Sequence, residues 1–233
     1  MYFDWTYIVL LMPALIFSMW ASSRVNSSYH RYSQQYSRRG ISAAQAARAV
    51  LNANGLSHIG IEHISGNLSD HYDPSAKIIR LSDGVYGNTS AAAIGIACHE
   101  VGHAIQHAQG YAPLKLRNAI VPVTNFGAKL STPLIILGLV LSSLSYRYIS
   151  ISYLGIICFA LCTFFQLITL PVEFNASRRA LDSIVSQGFL YDDELVGTKK
   201  VLGAAALTYV AALAVSLMQL LRFILLVGGR RDD

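Results

Sequence analysis

Charge is what this sequence has least of. Of its 233 residues, 13% are charged and 53% are hydrophobic, whereas a soluble domain carries about a quarter charged residues. That deficit argues against an ordinary water-soluble domain and points to a membrane. The net charge of +5 is modest and falls as small Lys/Arg clusters beside apolar runs. A long basic stripe is missing, which argues against a nucleic-acid partner and for charges that orient the chain in a lipid bilayer. Cysteine is scarce too. Three cysteines make no disulfide framework. Cys158 and Cys162 lie inside an apolar run, and Cys98 reads as a small buried residue. Internal repeats and low-complexity tracts are absent. The first apolar run has neither a basic flank before it nor a small-x-small cleavage site after it, so it reads as an anchor and not as a removable signal.

What is present is apolar length. Spanning a bilayer takes roughly 20 helical residues, and four runs supply them: about residues 5–21, 120–146, 149–170 and 201–227. The expected fold is mainly α, an integral membrane protein of about four transmembrane helices that forms one unit over residues 1–233. Polar residues 23–118 and 171–200 would carry a small α+β element. Lys and Arg in the flanks set the expected orientation. None precedes the first run, and Arg24, Arg31, Arg38 and Arg39 follow it. Arg147 alone separates the second run from the third, while Arg178, Arg179, Lys199 and Lys200 lie between the third and fourth. The polar element should therefore face the cytoplasm of a multi-pass cell-membrane protein. Arg230 and Arg231 dissent, beside Asp232 and Asp233.

Within the polar region, residues 25–40 read as a membrane-surface segment or a solvated linker. Ser42 and Gln45 form a capping-box pattern for a helix reaching Asn54, with Gly55 as its stop. Strands are expected near Ile59–Ile64 and Lys77–Leu81, joined by SGNLSDHYDPS as a hairpin or a small sheet edge. A further helix should follow Asn88-Thr89-Ser90 and end at Gln109, before Gly110.

That last helix carries His99-Glu100-Val101-Gly102-His103. Residues four apart share one helical face, so both imidazoles can converge on one Zn²⁺ at about 2.0–2.1 Å. Glu100, next to the first His, can take a proton from a metal-polarised water. Two His and a Glu on an otherwise apolar face would be costly without a metal. A third ligand is needed. His107 lies about 12 Å from His99 along an unbroken helix at 1.5 Å per residue, too far to share the metal, and reads as a supporting or surface residue. Downstream carboxylates are Glu173, Asp182, Asp192, Asp193, Glu194, Asp232 and Asp233. Two spans separate Glu173 from His103, which returns it to the same side of the membrane. Asp70, His71 and Asp73 are its rivals, since their loop could fold over the metal.

The order of a first span, a hairpin, HEVGHAIQHA, two spans and LPVEFNASRRA, together with SDHYDP at 69–74, resembles the YugP-type family of bacterial neutral zinc metallopeptidases over nearly the whole chain. The architecture is also similar to HtpX and the CAAX-prenyl endopeptidases. The resemblance implies a zincin-like gluzincin site with His99, His103 and Glu173 as zinc ligands and Glu100 as base. One position departs from the HtpX pattern. An Asp four residues after the ligand Glu supports the site there, whereas this chain has Ser177, which leaves Asn175 or Ser177 to support the site. His71, Tyr72, Arg178 and Arg179 are candidate oxyanion donors, and the strand at Lys77–Leu81 is a candidate edge for an extended substrate. The expected reaction is hydrolysis of peptide bonds in membrane proteins or their exposed segments. The alternative is a membrane scaffold with a structural zinc, which would be closed by four protein ligands.

Overall fold

A computed structural model describes residues 5–229 of the chain, so Arg230, Arg231, Asp232 and Asp233, which bear on the expected orientation, lie outside the described residues. The protein is mainly helical. A short π-turn, Tyr7–Leu11, leads into α1 (Met12–Tyr32), followed by α2 (Ala43–Ala53), β1 (Gly60–Ile64), β2 (His71–Asp73), β3 (Ile78–Ser82) and α3 (Ala91–Ala108). Three long helices complete the chain: α4 (Ala112–Leu141), α5 (Ile149–Gln187) and α6 (Asp192–Gly228). Four helical stretches, Tyr7–Tyr32, Ala112–Leu141, Tyr146–Gln187 and Asp192–Gly228, are long and apolar enough to cross a membrane. They run beyond the spans read from hydropathy. The first continues to Tyr32 through residues expected as linker or surface segment, and the third continues as one helix to Gln187.

The chain divides into two compact units. The first comprises the described residues up to Ala21, Leu116–Leu170 and those from Thr208 onward. Small residues let its helix backbones approach, as expected where lipid supplies no hydrophobic drive between helices. A Cβ on Gly155 would meet the Ser131 carbonyl at 2.7 Å, and one on Gly127 the Cys158 carbonyl at 3.1 Å. Ser152 Oγ donates to the Ile135 carbonyl at 2.9 Å, and the Thr163 and Ser216 hydroxyls pair at 2.8 Å. Its outward faces are apolar: Phe126 is 67% exposed and Met19 72%. Such surface suits contact with lipid.

The second unit, Ser22–Lys115 and Pro171–Leu207, holds the larger core. Val50 and Leu51 of α2, Ile79 and Leu81 of β3, Ile94 and Val101 of α3 and Ile184 of α5 meet there. Local signals end the helices where the sequence places them. Ser42 and Gln45 form the reciprocal capping box at α2, Ser90 caps α3 through the Ala93 N–H, and Gly55 and Gly110 take positive φ past the helix ends. The sheet departs from the expected hairpin. Its order is β1-β3-β2, with β1 parallel to β3 from Gly60↔Ile78 to Ile64↔Ser82, and β2 antiparallel to β3. A third strand therefore lies inside the segment expected as a connection. It also makes β3 the central strand, so Ile78, Ile79 and Arg80, paired on both sides, offer no free edge to an extended substrate.

Candidate metal centre

Helix α3 approaches α5 at one point, and two small residues set how closely. A Cβ on Gly102 would lie 2.6 Å from the Ala176 carbonyl oxygen, so only glycine permits this approach. His99 and His103 flank Gly102 on α3, and Glu173 and Ser177 flank Ala176 on α5. The contact therefore brings both imidazoles against the carboxylate. His99 Nε2 lies 3.3 Å from Glu173 Oε2 and His103 Nε2 lies 3.5 Å from the same oxygen. The imidazole rings stand nearly perpendicular, 85° apart with centroids at 4.7 Å. One ligand atom from each of the three residues lies within 4.8 Å of the others.

These separations can be tested against a metal. Two atoms each about 2.05 Å from a tetrahedral ion sit about 3.3 Å apart, close to the two distances found. The donor set of two imidazole nitrogens and a carboxylate oxygen is one that zinc takes. The residues present therefore fit the ion that the sequence motif implies.

Hydrogen bonds fix which ring nitrogen faces the cluster. Gln106 is fully buried, and its Nε2 donates to the Val172 carbonyl at 2.8 Å and to Asn175 Oδ1 at 3.0 Å. A carbonyl can only accept, so the amide orientation is determined and Gln106 Oε1 faces His103 Nδ1 at 3.0 Å. Nδ1 must then carry the proton, which leaves Nε2 a free lone pair. Ser177 Oγ stands 3.1 Å from His99 Nδ1 and can hold that ring in the same sense. The network continues outward: Arg179 Nε donates to Asn175 Oδ1 at 2.7 Å, and Arg179 Nη1 donates to Gln109 Oε1 at 2.8 Å. Asn175 and Ser177, the two substitutes read for the missing Asp, both take part. Gln106 was missed because a glutamine on a helix reads as surface; its spacing of three from His103 was the available signal.

Glu100 is buried and accepts no hydrogen bond at its side chain from any described residue. Burial pushes its carboxyl above the ordinary value, against the pull of His99 and His103, and Glu173 and Asp70 add to the rise. For His103, burial acts to lower the value, but the Glu173 and Glu100 carboxylates outweigh it and raise the imidazole.

Other residues singled out by sequence go elsewhere. Asp70 accepts from Ser82 N and Oγ at 2.7 and 3.0 Å. Asp73 accepts from the Ser75 and Ala76 backbone and from Arg80 Nη1. His71 faces Ser69 and Arg80. None of these three joins the described cluster. His107 is exposed and pairs through Nδ1 with the Tyr72 hydroxyl at 2.9 Å. Arg178 is exposed. Cys98 is buried in the core, and burial pushes its thiol up to about 12, so it offers no thiolate at neutral pH.

The family described as "Putative neutral zinc metallopeptidase" matches residues 7–228. The "Putative membrane protease YugP" of Bacillus subtilis (strain 168) is 47% identical over 227 residues, covering 97% of this chain and 99% of that protein. No solved structure matches.

Proposed function

Since the chain belongs to the family described as "Putative neutral zinc metallopeptidase", we propose that it is a membrane-bound zinc endopeptidase that hydrolyses peptide bonds with His99, His103 and Glu173 as metal ligands and Glu100 as general base. The observation that carries this reading is the convergence of His99 Nε2 and His103 Nε2 on Glu173 Oε2 at 3.3 and 3.5 Å, with unpaired Glu100 beside them. Three donors and no fourth among the described residues match the catalytic class of zinc site, which keeps a position open, and not the closed structural class.

Bound there, zinc would supply a Lewis acid that acidifies a water and polarises the scissile carbonyl. The chain's own groups do the rest. Gln106 and Ser177 hold the imidazoles in the tautomer that presents Nε2. Glu100, made more basic by burial, takes the proton of the attacking water on its carboxylate and returns it to the leaving amine nitrogen. Substrates are membrane proteins or their exposed segments, in keeping with the four apolar helices and the relative's name. The Lys/Arg flanks favour a site facing the cytoplasm.

Glu100→Gln tests the assignment. The amide cannot accept the proton, while the three ligands remain. Zinc content of the purified protein should be unchanged, and cleavage of a membrane-protein substrate should drop by at least about a hundredfold. Turnover at the wild-type rate in the pure variant would refute the mechanism. Glu173→Gln should instead lose zinc in a graded chelator series, whereas His107→Ala should keep it.

A further inference from the structure

Apart from the metal cluster, the second unit contains a cavity of about 440 Å³ walled by α1 and α6. Three of its lining residues are cations, Arg24, Arg31 and Lys200, and no carboxylate is among its described lining residues. The pattern on α1 is a single helical stripe: Arg24, Ser27 and Ser28, then Arg31, at spacings of three, four and seven. Lys200, Gly203, Ala204 and Leu207 make the matching stripe on α6. The α6 stripe is small where the α1 stripe is charged. A Cβ on Gly203 would meet nothing within 4 Å, so glycine here relieves no clash and instead leaves the cavity open. Arg31 and Lys200 bring like charges from two helices to one void, and an anion between them would relieve their repulsion.

The two stripes also grade in polarity. On α6 they run from Lys200 to Ala204 and Leu207, and beyond these the sequence is apolar (LTYVAALAVSLM). On α1 the residues before Arg24 are likewise apolar (MPALIFSMWA). The cavity thus belongs to the segments where both helices change from apolar to polar. This is the depth at which a phospholipid carries its phosphate, and basic pockets between membrane helices bind such headgroups. The Ser28 hydroxyl adds a donor suited to phosphate oxygens, while Ser27 gives its own to the Arg24 carbonyl at 3.2 Å.

We propose that this cavity binds a phosphate group between Arg24, Arg31 and Lys200, and that the group belongs to an anionic phospholipid whose chains follow Leu207. The site is distinct from the metal cluster and does not depend on the peptidase assignment.

The test uses the full chain purified in detergent, with phosphatidylglycerol, phosphatidylcholine and inorganic phosphate as separate probes. Native mass spectrometry reads bound lipid, and thermal unfolding reads stabilisation. Phosphatidylglycerol should bind and raise Tm, phosphatidylcholine should do so weakly, and millimolar phosphate should do neither. The pair Arg31→Gln with Lys200→Gln should weaken phosphatidylglycerol binding at least about tenfold. Arg39→Gln with Lys199→Gln removes the same charge outside the cavity and should leave binding near wild type. Gly203→Leu keeps every charge and fills the void, and it should lose the lipid while retaining the metal. Equal loss in both charge pairs, or full binding by Gly203→Leu, would overturn the site. Stabilisation by inorganic phosphate without any by phosphatidylglycerol would overturn the lipid assignment.

Discussion

At the residue scale the cluster of His99, His103 and Glu173 is held by groups outside it. Gln106 is the clearest case, because its two amide ends are committed in opposite directions: Nε2 to α5, Oε1 to His103. Replacing it with Ala strips the partner from His103 Nδ1 and frees the ring to turn. Loss of such a supporting contact lowers metal affinity by about 10–100-fold. Gln106→Ala should therefore lose zinc to a weaker chelator than wild type needs, while its unmetallated form remains folded by circular dichroism. Wild-type zinc retention would show that the ring is held by packing alone. That His99 and His103 share a face was legible in the sequence, because spacing on a helix decides what lies together. The nearness of Glu173 to both rings was anticipated by the side to which its helix was expected to return and by the resemblance to related sites. Gln106, Gly102 and Ala176 were not, because their meaning lies in a helix crossing between positions about seventy apart.

At the scale of elements, that crossing is the determinant. Gly102→Ala places a methyl 2.6 Å from a backbone carbonyl, which has no flexible end to move aside. Overpacking of this kind costs about 1–3 kcal/mol, and any relief separates α3 from α5 and with it His99 and His103 from Glu173. The expected result is a lower Tm together with weakened zinc binding. A variant that lost stability but kept full zinc affinity would place the strain elsewhere. The β2–β3 turn gives a second prediction. The Asp73 carboxylate is held below its ordinary value by the Ala76 N–H, by Arg80 and by the Ser75 N–H. A depressed native value means that the stability it contributes is in place above the unfolded carboxylate value of about 3.9 and is lost as pH falls through the native one. Wild type should exceed Asp73→Asn in Tm by a constant margin from neutral pH to about pH 5, and the margin should shrink below about pH 4. A margin that persisted at the lowest pH would point to shape rather than charge. Helix ends were readable from Ser42, Gln45, Gly55, Ser90 and Gly110, since caps are local chemistry. The sheet was not. β2 is three residues long, too short for a period-two pattern, and β1 pairs directly with β3, so β2, which separates them in sequence, lies on the far side of β3 in the sheet.

For the whole molecule, four apolar helices were visible in hydropathy, but hydropathy is blind to direction and only the basic residues break the symmetry. Arg24, Arg31, Arg38 and Arg39 follow the first apolar run and Arg178, Arg179, Lys199 and Lys200 lie between the third and fourth, against Arg147 alone between the second and third. If those clusters stay in the cytoplasm, Ser65 lies inside with the polar element and Ser145, in the α4–α5 connection, lies outside. Both positions are exposed, so a cysteine at either is open to reagent. The native thiols must first be removed: Cys158 and Cys162 are partly buried, and Cys98 lies in the core, where alanine is the small apolar substitute. In that background, an impermeant maleimide added to intact cells should label Ser145→Cys and leave Ser65→Cys untouched until the membrane is permeabilised. The reverse pattern would turn the protein over, and substrates would then have to be sought on the external face. Labelling of both in intact cells would mean that the α4 segment does not cross, and the return of Glu173 to the side of His103 could then no longer be argued from the number of spans.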